Sequence, residues 1–347
     1  MSRRILLHLN QMGERGTETS TLELARLLVS LNDQVTCTFP AESPLNRIRV
    51  IENFRRICEV KPYKDFNSSR IWAKNKFDFV YFQKVDSLDG LKYPKLFNSV
   101  HVVFPEYLPH GNSYAYVSKW LSEEAKRLSR EKFRIIRNAP KAILSGCKNS
   151  LAFNYAPLIV NLPEPESDIR SLYGIPKDAF LILRYGGFEQ FDITWVKSVV
   201  VEFLESNPDA YFLGINTKEF SDHPRAIFAQ PIFELSQKSN VLFSADVFLH
   251  GRARGETFGM SIVECLQIGT PIISFSGGSD KNHVQLLGNI DSENTALYAN
   301  EAELIQLLAY FYVKRVEGFR DEILINHGNE FRPQLLKDVY NTIFFPI

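Results

Sequence analysis

The stretch from His250 to Ile273 concentrates residue types that can do chemistry. It holds two glutamates, Glu256 and Glu264, separated by seven residues, among Arg252, Arg254, Gly255, Phe258 and Gly259. Val247-Phe248-Leu249-His250 reads as a buried strand, the glycine-bearing segment after it as a loop, and the residues from about Gly259 or Met260 as a helix. Glu256 then sits in the loop beside the helix N-terminus, and Glu264 about a turn inside it. Unsatisfied amides at a helix start attract a diphosphate. Gly255 and Gly259 let the backbone come close to a ligand. A carboxylate such as Glu264 can accept both hydroxyl protons of a ribose, as acidic residues do in dinucleotide sites. The bland alternative is an ordinary helix with two solvated glutamates. The glycines, Phe258, Ser261 and the exit Gly269-Thr270-Pro271 argue against it.

These residues need a scaffold, and the rest of the chain supplies one. Ile5-Leu6-Leu7-His8-Leu9 is a buried-strand pattern that runs into a polar loop bearing Gly13 and Gly16. Thr17 is a candidate cap for a helix carrying Leu22, Ala25, Leu28 and Val29 at helical spacing. Further strands are expected at Gln34 to Phe39, Phe77 to Phe82 and Ser99 to Phe104. Three prolines fall between Pro157 and Pro165, a stiff extended segment where a hinge belongs. Beyond it, strands are expected at Phe180 to Arg184, Tyr211 to Ile215, Val247 to His250 and Pro271 to Phe275. Strands alternating with helices imply an α/β fold with mainly parallel sheets. The expected organisation is a Rossmann-like domain over 1–156, a second over 157–330, and a helical tail over 331–347 packing back on the first. Ligands bind such sheets at the carboxyl ends of the strands.

The motif G-E-x-F-G-x-S-x-x-E-x-x-x-x-G-x-P-I, from Gly255 to Ile272, resembles the signature of retaining GT-B glycosyltransferases of family 4. Other segments resemble that family in the same order. Gln11 to Glu18 is similar to its N-terminal glycine loop, with Gly13 and Gly16. Ser99 to Phe104 is similar to the strand whose histidine, here His101, faces the reaction centre; a satisfied structural histidine is the alternative. Val117-Ser118-Lys119-Trp120-Leu121 and Ser274 to Ser279 match later elements. The resemblance implies two Rossmann-like βαβ domains facing each other across a cleft. It also implies retaining, metal-independent transfer of a sugar from a UDP- or GDP-sugar to a glycan or a lipid- or protein-linked glycan, with no cofactor. Carried over, Glu264 binds the ribose and Glu256 and His101 lie at the transferred sugar. Phe258, Gly259, His283, Asn216 and the base-side pair Pro231 and Ile232 line the donor, and His110 lies toward the acceptor.

One departure matters. The family carries G-R-x-x-x-x-K-G after the first strand of the second domain, where Arg and Lys grip the diphosphate. Here Gly187 stands at the Arg position and Asp192 near the Lys position. The amides of Gly186 and Gly187 can still donate. Arg184, Arg252 and Arg254 are the candidate substitute cations, because a guanidinium meets phosphate in a fork; a structural ion pair is the alternative for each. The readings left open are a GT-B sugar-nucleotide epimerase, which needs no acceptor, and a binding protein without catalysis. A nicotinamide dehydrogenase fits the glycine spacing poorly.

Composition narrows the partners. Forty basic and forty acidic side chains in 347 residues give no net charge, which argues against a nucleic-acid partner. No apolar run approaches the ~20 residues that span a bilayer, and the four cysteines form no C-x-x-C pair, so a cytoplasmic location is expected. No D-x-D triplet or His/Cys ligand set suggests a metal. Lys126, Arg127, Arg130, Lys132, Arg134, Arg137, Lys141 and Lys148 form a basic stretch opposed only by Glu131. It reads as a solvated face or as a peripheral contact with an anionic membrane or acceptor.

Overall fold

A computed structural model describes residues 2–74, 76–85, 89–104, 108, 110–135, 154–315 and 320–346, with backbone only at 129–135. The chain divides into two compact units, Met1–Ile159 with Arg332–Ile347, and Val160–Phe331.

The first unit runs β1 Arg4–His8, α1 Gly16–Ser30, β2 Gln34–Pro40, α2 Ile48–Arg55, β3 Glu59–Tyr63, α3 Phe66–Ala73, β4 Phe79–Lys84, β5 Phe97–Val102, β6 Ser113–Tyr116 and α4 Lys119–Ile135. The second runs β7 Phe180–Tyr185, α5 Thr194–Ser206, β8 Ala210–Ile215, β9 Ala226–Ala229, α6 Leu235–Ser244, β10 Val247–His250, β11 Gly255–Glu256, α7 Met260–Ile268, β12 Ile272–Phe275, β13 Asp280–Lys281, α8 Asn282–Gly288, β14 Thr295–Tyr298, α9 Glu301–Lys314 and α10 Glu322–Asn329. The last helix, α11 Pro333–Phe344, returns to the first unit.

Each unit is built on a six-stranded parallel sheet, ordered β3-β2-β1-β4-β5-β6 in one and β14-β12-β10-β7-β8-β9 in the other. Counting the main strands of each unit in chain order, both read 3-2-1-4-5-6, the doubly wound order of a Rossmann-like domain. In that order the connections leave the sheet in opposite directions between the first and fourth strands. Those are β1 and β4 in the first unit and β7 and β10 in the second. Ligands bind outside the strand carboxyl ends at such a point.

Central strands buried on both faces need continuous apolar runs, and Ile5, Leu6, Leu7 and Val247 to Leu249 supply them. In the first unit, Leu336, Tyr340 and Phe344 recur at four-residue spacing on α11 and join the core of β1 and α1. The Phe344 carbonyl accepts the Ser99 hydroxyl at 2.6 Å, and the Tyr340 hydroxyl donates to the Pro157 carbonyl at 2.9 Å. In the second unit, α7 is buried from Ile262 to Ile268, which requires cover on every side. Helix α10 gives part of that cover. A Cβ on Gly328 would lie 2.4 Å from the Gln267 backbone nitrogen, so only glycine allows this approach. The Gln267 amide accepts from Leu162 N–H and donates to the carbonyls of Val160 and Gly328, pinning the entering segment to α7.

The expected cap moves. Helix α1 begins at Gly16 with Arg15 as its N-cap, and the Thr17 hydroxyl donates to the Glu18 carboxylate at 2.6 Å instead. Among the cysteines, Cys37 and the thiol of Cys58 meet at 3.5 Å as free thiols, a proximity their spacing in sequence does not reveal.

Candidate functional site

The second unit places its chemistry at the ends of β7 and β10. Strand β10 stops at His250, and after four intervening residues Gly255 and Glu256 pair in parallel with Asp280 and Lys281. Gly255 has a φ of +81°, and a Cβ there would fall 2.0 Å from the Asp280 carbonyl. Only glycine makes this turn, and the turn sets Glu256 beside His283. Gly259, with a φ of +89°, is the N-cap of α7 and offers no side chain of its own to the helix amides.

Glu256 is the hub. Its carboxylate accepts from Arg252 Nη1 at 2.8 Å and lies 3.4 Å from His250 Nε2, and its N–H donates to His283 Nδ1 at 3.3 Å. Since His283 Nδ1 accepts, its Nε2 carries the proton and donates to the Phe275 carbonyl at 2.8 Å. Burial, with the neighbouring His250, pushes the His283 imidazole down to about 4. Burial would raise the Glu256 carboxyl, but the His250 hydrogen bond and the charges of His250 and Arg252 bring it below the usual carboxylate range. His250 is itself oriented from behind: Ser274 Oγ lies 2.9 Å from its Nδ1, and Tyr298 donates to its carbonyl.

Arg184, near the end of β7, is buried to 4% exposure. Its Nη2 donates to the Gly187 carbonyl at 3.1 Å, and its Nη1 has no hydrogen-bond partner among the described residues. Burial pulls this guanidinium down to about 10, against the attraction of Glu256 and with the repulsion of Arg252. A Cβ on Gly186 would lie 2.5 Å from Nη1, so the glycine leaves the space that the guanidinium folds over. Asn216, in the left-handed region at φ +48°, donates to the Gly186 carbonyl at 2.8 Å and fixes that turn. Asp192 accepts from Ala253 N–H at 2.7 Å and braces the loop after β10. Arg252 and Arg254 both stand in ion pairs, with Glu256 at 2.8 Å and Asp280 at 2.7 Å.

Glu264 is 2% exposed and bonded to Lys238 Nζ at 2.7 Å. That ammonium lies 5.2 Å from the ring centre of Tyr185, the last residue of β7. Burial opposes the charge on Lys238, but Glu264 and Tyr185 outweigh it and raise its pKa. Sequence reasoning missed Lys238. The signal was present: it stands three residues from Leu235 and Val241, on the apolar face of α6.

The structure thus gathers Arg184, Gly186, Gly187, Asn216, Arg252, Glu256 and His283 around one loop system, with Glu264 further into α7. Pro231 and Ile232 are half-buried in the β9–α6 connection. Two expectations need correction. Phe258 is buried, packs edge-on against Phe331 at 5.7 Å and gives its carbonyl to Asn282, so it supports the loop from the core. His101 is fully buried in the first unit, between Tyr81, whose hydroxyl lies 2.6 Å from Nδ1, and the Ala156 carbonyl, 2.7 Å from Nε2. With Phe344 at 4.9 Å and burial holding its pKa at about 3, it is a core histidine with both nitrogens engaged. Arg254, like Arg252, takes the ion pair left open as its alternative, with its side chain still 55% exposed. In the first unit Gly13 lies in the β1–α1 connection and Gly16 opens α1, while His110, in the β5–β6 connection, bonds through Nδ1 to the Leu108 carbonyl. Of the basic stretch, Arg137, Lys141 and Lys148 lie outside the described residues, and Arg127 pairs with Glu124.

No protein-family model and no curated protein matches the chain. Solved structures do. A glycosyltransferase from Rickettsia africae has a TM-score of 0.64 at 12% identity, over 99% of this chain and 98% of that one. HepE of Anabaena in complex with UDP-glucose gives 0.66 at 12% identity, over 98% and 99%. WaaG, a glycosyltransferase involved in lipopolysaccharide biosynthesis, gives 0.55 at 11% identity, over 98% and 99%. The fold is GT-B. At these identities the likeness speaks of architecture. Among the described residues no group of three or more His, Cys, Asp or Glu side chains is placed to hold a metal ion, and no helix is long and apolar enough to cross a membrane.

Proposed function

We propose that this chain is a glycosyltransferase that holds a nucleotide-diphosphate sugar on its C-terminal unit. The observation that carries the reading is Arg184, a buried guanidinium with an unpartnered Nη1 at the switch point of a doubly wound sheet. A buried cation with a free donor is costly unless a ligand completes it, and a diphosphate does so. The leaving diphosphate gains charge as the glycosidic bond breaks, and Arg184 and the amides opening α7 are fixed before that charge appears. Glu264 accepts from the ribose, and Glu256, kept ionised by Arg252 and His250, lies at the transferred sugar. The binding of UDP-glucose by HepE, which shares the fold, supports this reading.

The finer reading follows the sequence motif: family 4 chemistry, retention of configuration, no divalent metal, a UDP- or GDP-sugar donor, a glycan or lipid- or protein-linked glycan acceptor, and a cytoplasmic location. The test is calorimetry with UDP, GDP and their sugars, followed by product analysis with and without saccharide acceptors and with chelator. Nucleotide binding and acceptor-dependent transfer of unchanged anomeric configuration are expected in chelator. Absence of binding to both nucleotides refutes the reading, and conversion of the nucleotide-sugar without an acceptor makes the protein an epimerase.

A further inference from the structure

Neither the fold nor the donor contacts above explain the ion pair between Lys238 and Glu264. Both side chains are nearly inaccessible, at 7% and 2% exposure. A buried pair loses both hydration shells, and an apolar pair of equal volume is often as stable or more so. The pair is nonetheless held firmly. Helix α6 is anchored from the entering segment, with Ser239 Oγ donating to the Pro163 carbonyl at 2.8 Å and Glu166 N–H donating to Asn240 Oδ1 at 2.7 Å. The ammonium meets Glu264 Oε1 on one side and Tyr185 on the other. The loop after β10 repeats the arrangement, since Arg252 sits on Glu256. Both glutamates of the motif therefore carry an internal cation, and Arg184 keeps a donor uncommitted.

We propose that Lys238 is a positioning residue of the nucleotide site, acting through Glu264; this rests on the proposed function. A bare carboxylate beside a diphosphate repels it. Lys238 cancels the repulsion through its ion pair with Glu264. By occupying Oε1 it also fixes the rotamer, leaving Oε2 for the ribose hydroxyls. Its effect therefore requires a charged partner at 264.

A double-mutant cycle tests this. Binding of UDP and of GDP is measured by calorimetry for wild type, Lys238→Met, Glu264→Gln and the double variant. Lys238→Met is expected to weaken the bound diphosphate at least tenfold in the wild-type background and less than threefold in the Glu264→Gln background, where no charge remains to cancel. Equal losses in both backgrounds, or an unchanged dissociation constant for folded Lys238→Met, overturn the proposal. Should Lys238→Met fail to fold, the 15Nζ resonance of Lys238 in wild type, assigned with Lys238→Arg, is expected to move on saturation with the diphosphate, and an unmoved resonance overturns it. A wild type that binds neither UDP nor GDP overturns the proposed function along with it. Wild-type binding with an uncoupled Lys238 overturns this inference alone.

Discussion

Replacing Arg184 by Met separates a group kept for binding from one kept for stability. The guanidinium titrates at about 10, well below the ordinary arginine range, because burial removes its hydration. At ~1.4 kcal/mol per unit, holding the charge in the unliganded fold at neutral pH costs about 3 kcal/mol. Because the folded pKa is the lower one, that cost is constant at pH 7 and disappears only as pH rises from about 10 into the ordinary arginine range. Methionine fills the volume of the stem without the charge. Lost in exchange are the bond to the Gly187 carbonyl and the packing over Phe191, whose ring centre lies 5.7 Å away; together these contribute about 1–2 kcal/mol. The unliganded variant should thus be as stable as wild type or more so, by up to about 2 kcal/mol, seen as an unchanged or raised Tm. Nucleotide binding should move the opposite way. A lost charge-assisted bond of about 1.5–3 kcal/mol is a roughly 10- to 150-fold weaker Kd. Turnover should fall further still, since the diphosphate carries more charge in the transition state. Thermal unfolding without ligand, calorimetry with UDP and GDP, and kcat on the same preparations decide it. A destabilised variant with unchanged Kd and kcat would show that Arg184 is a structural residue and that the anion site lies elsewhere.

Glu264→Ala strands Lys238 in the core, so chemical denaturation should show a loss of about 3–5 kcal/mol; Glu264→Gln is the variant in which the affinity change, about 1.5–3 kcal/mol, can be read. His8 and His101 in the first unit titrate at about 3, and His283 in the second at about 4, all lowered by burial from 6.5. The unfolded chain then binds more protons below pH 6.5, so stability present at pH 7.5 should drain away as pH falls, by about 1.4 kcal/mol per histidine at pH 5.5. Denaturation midpoints across that range check it, and a flat profile would mean the rings are solvated. Gly255→Ala should cost at least ~2 kcal/mol and abolish turnover, because its φ and the Asp280 carbonyl both exclude a Cβ; wild-type kinetics from a folded variant would refute the account of how Glu256 is placed.

Much of the architecture was legible because it is written locally. The central strands β1, β4, β7, β8, β10 and β12 show as apolar runs, since burial on both faces leaves little room for alternation, while β2 and β5 mix buried Thr, Ser and Asn into theirs. The main-sheet strands that patterning did not find, β3, β6, β9 and β14, are the four edges. Strands β3, β9 and β14 are largely half-exposed and β3 even carries Pro62, while β6 is four residues opening on Ser113, so no run marks them. The loop between β10 and α7 was legible for a similar reason. Gly255 and Gly259 take positive φ, which other residues resist, and a glycine requirement is visible in one dimension.

What each charged side chain does was not legible, because a charge takes its meaning from whatever lies opposite. Arg184, Arg252 and Arg254 look equivalent in sequence. Asp280 and Glu256 claim two of them, and Arg184 is left with a free donor. His101 has the right neighbours along the chain for chemistry, yet Tyr81 on β4 and the Ala156 carbonyl close around it. Glu264 announces itself by its motif, but the cation that holds it comes from a different helix, 26 positions away. The sequence by itself determined where strands, turns and glycines must fall, since steric and hydrophobic demands act over a few residues. Only the tertiary structure decided which polar groups are paired and which remain open to a ligand, since burial and electrostatic partnership arise when distant segments exclude water together.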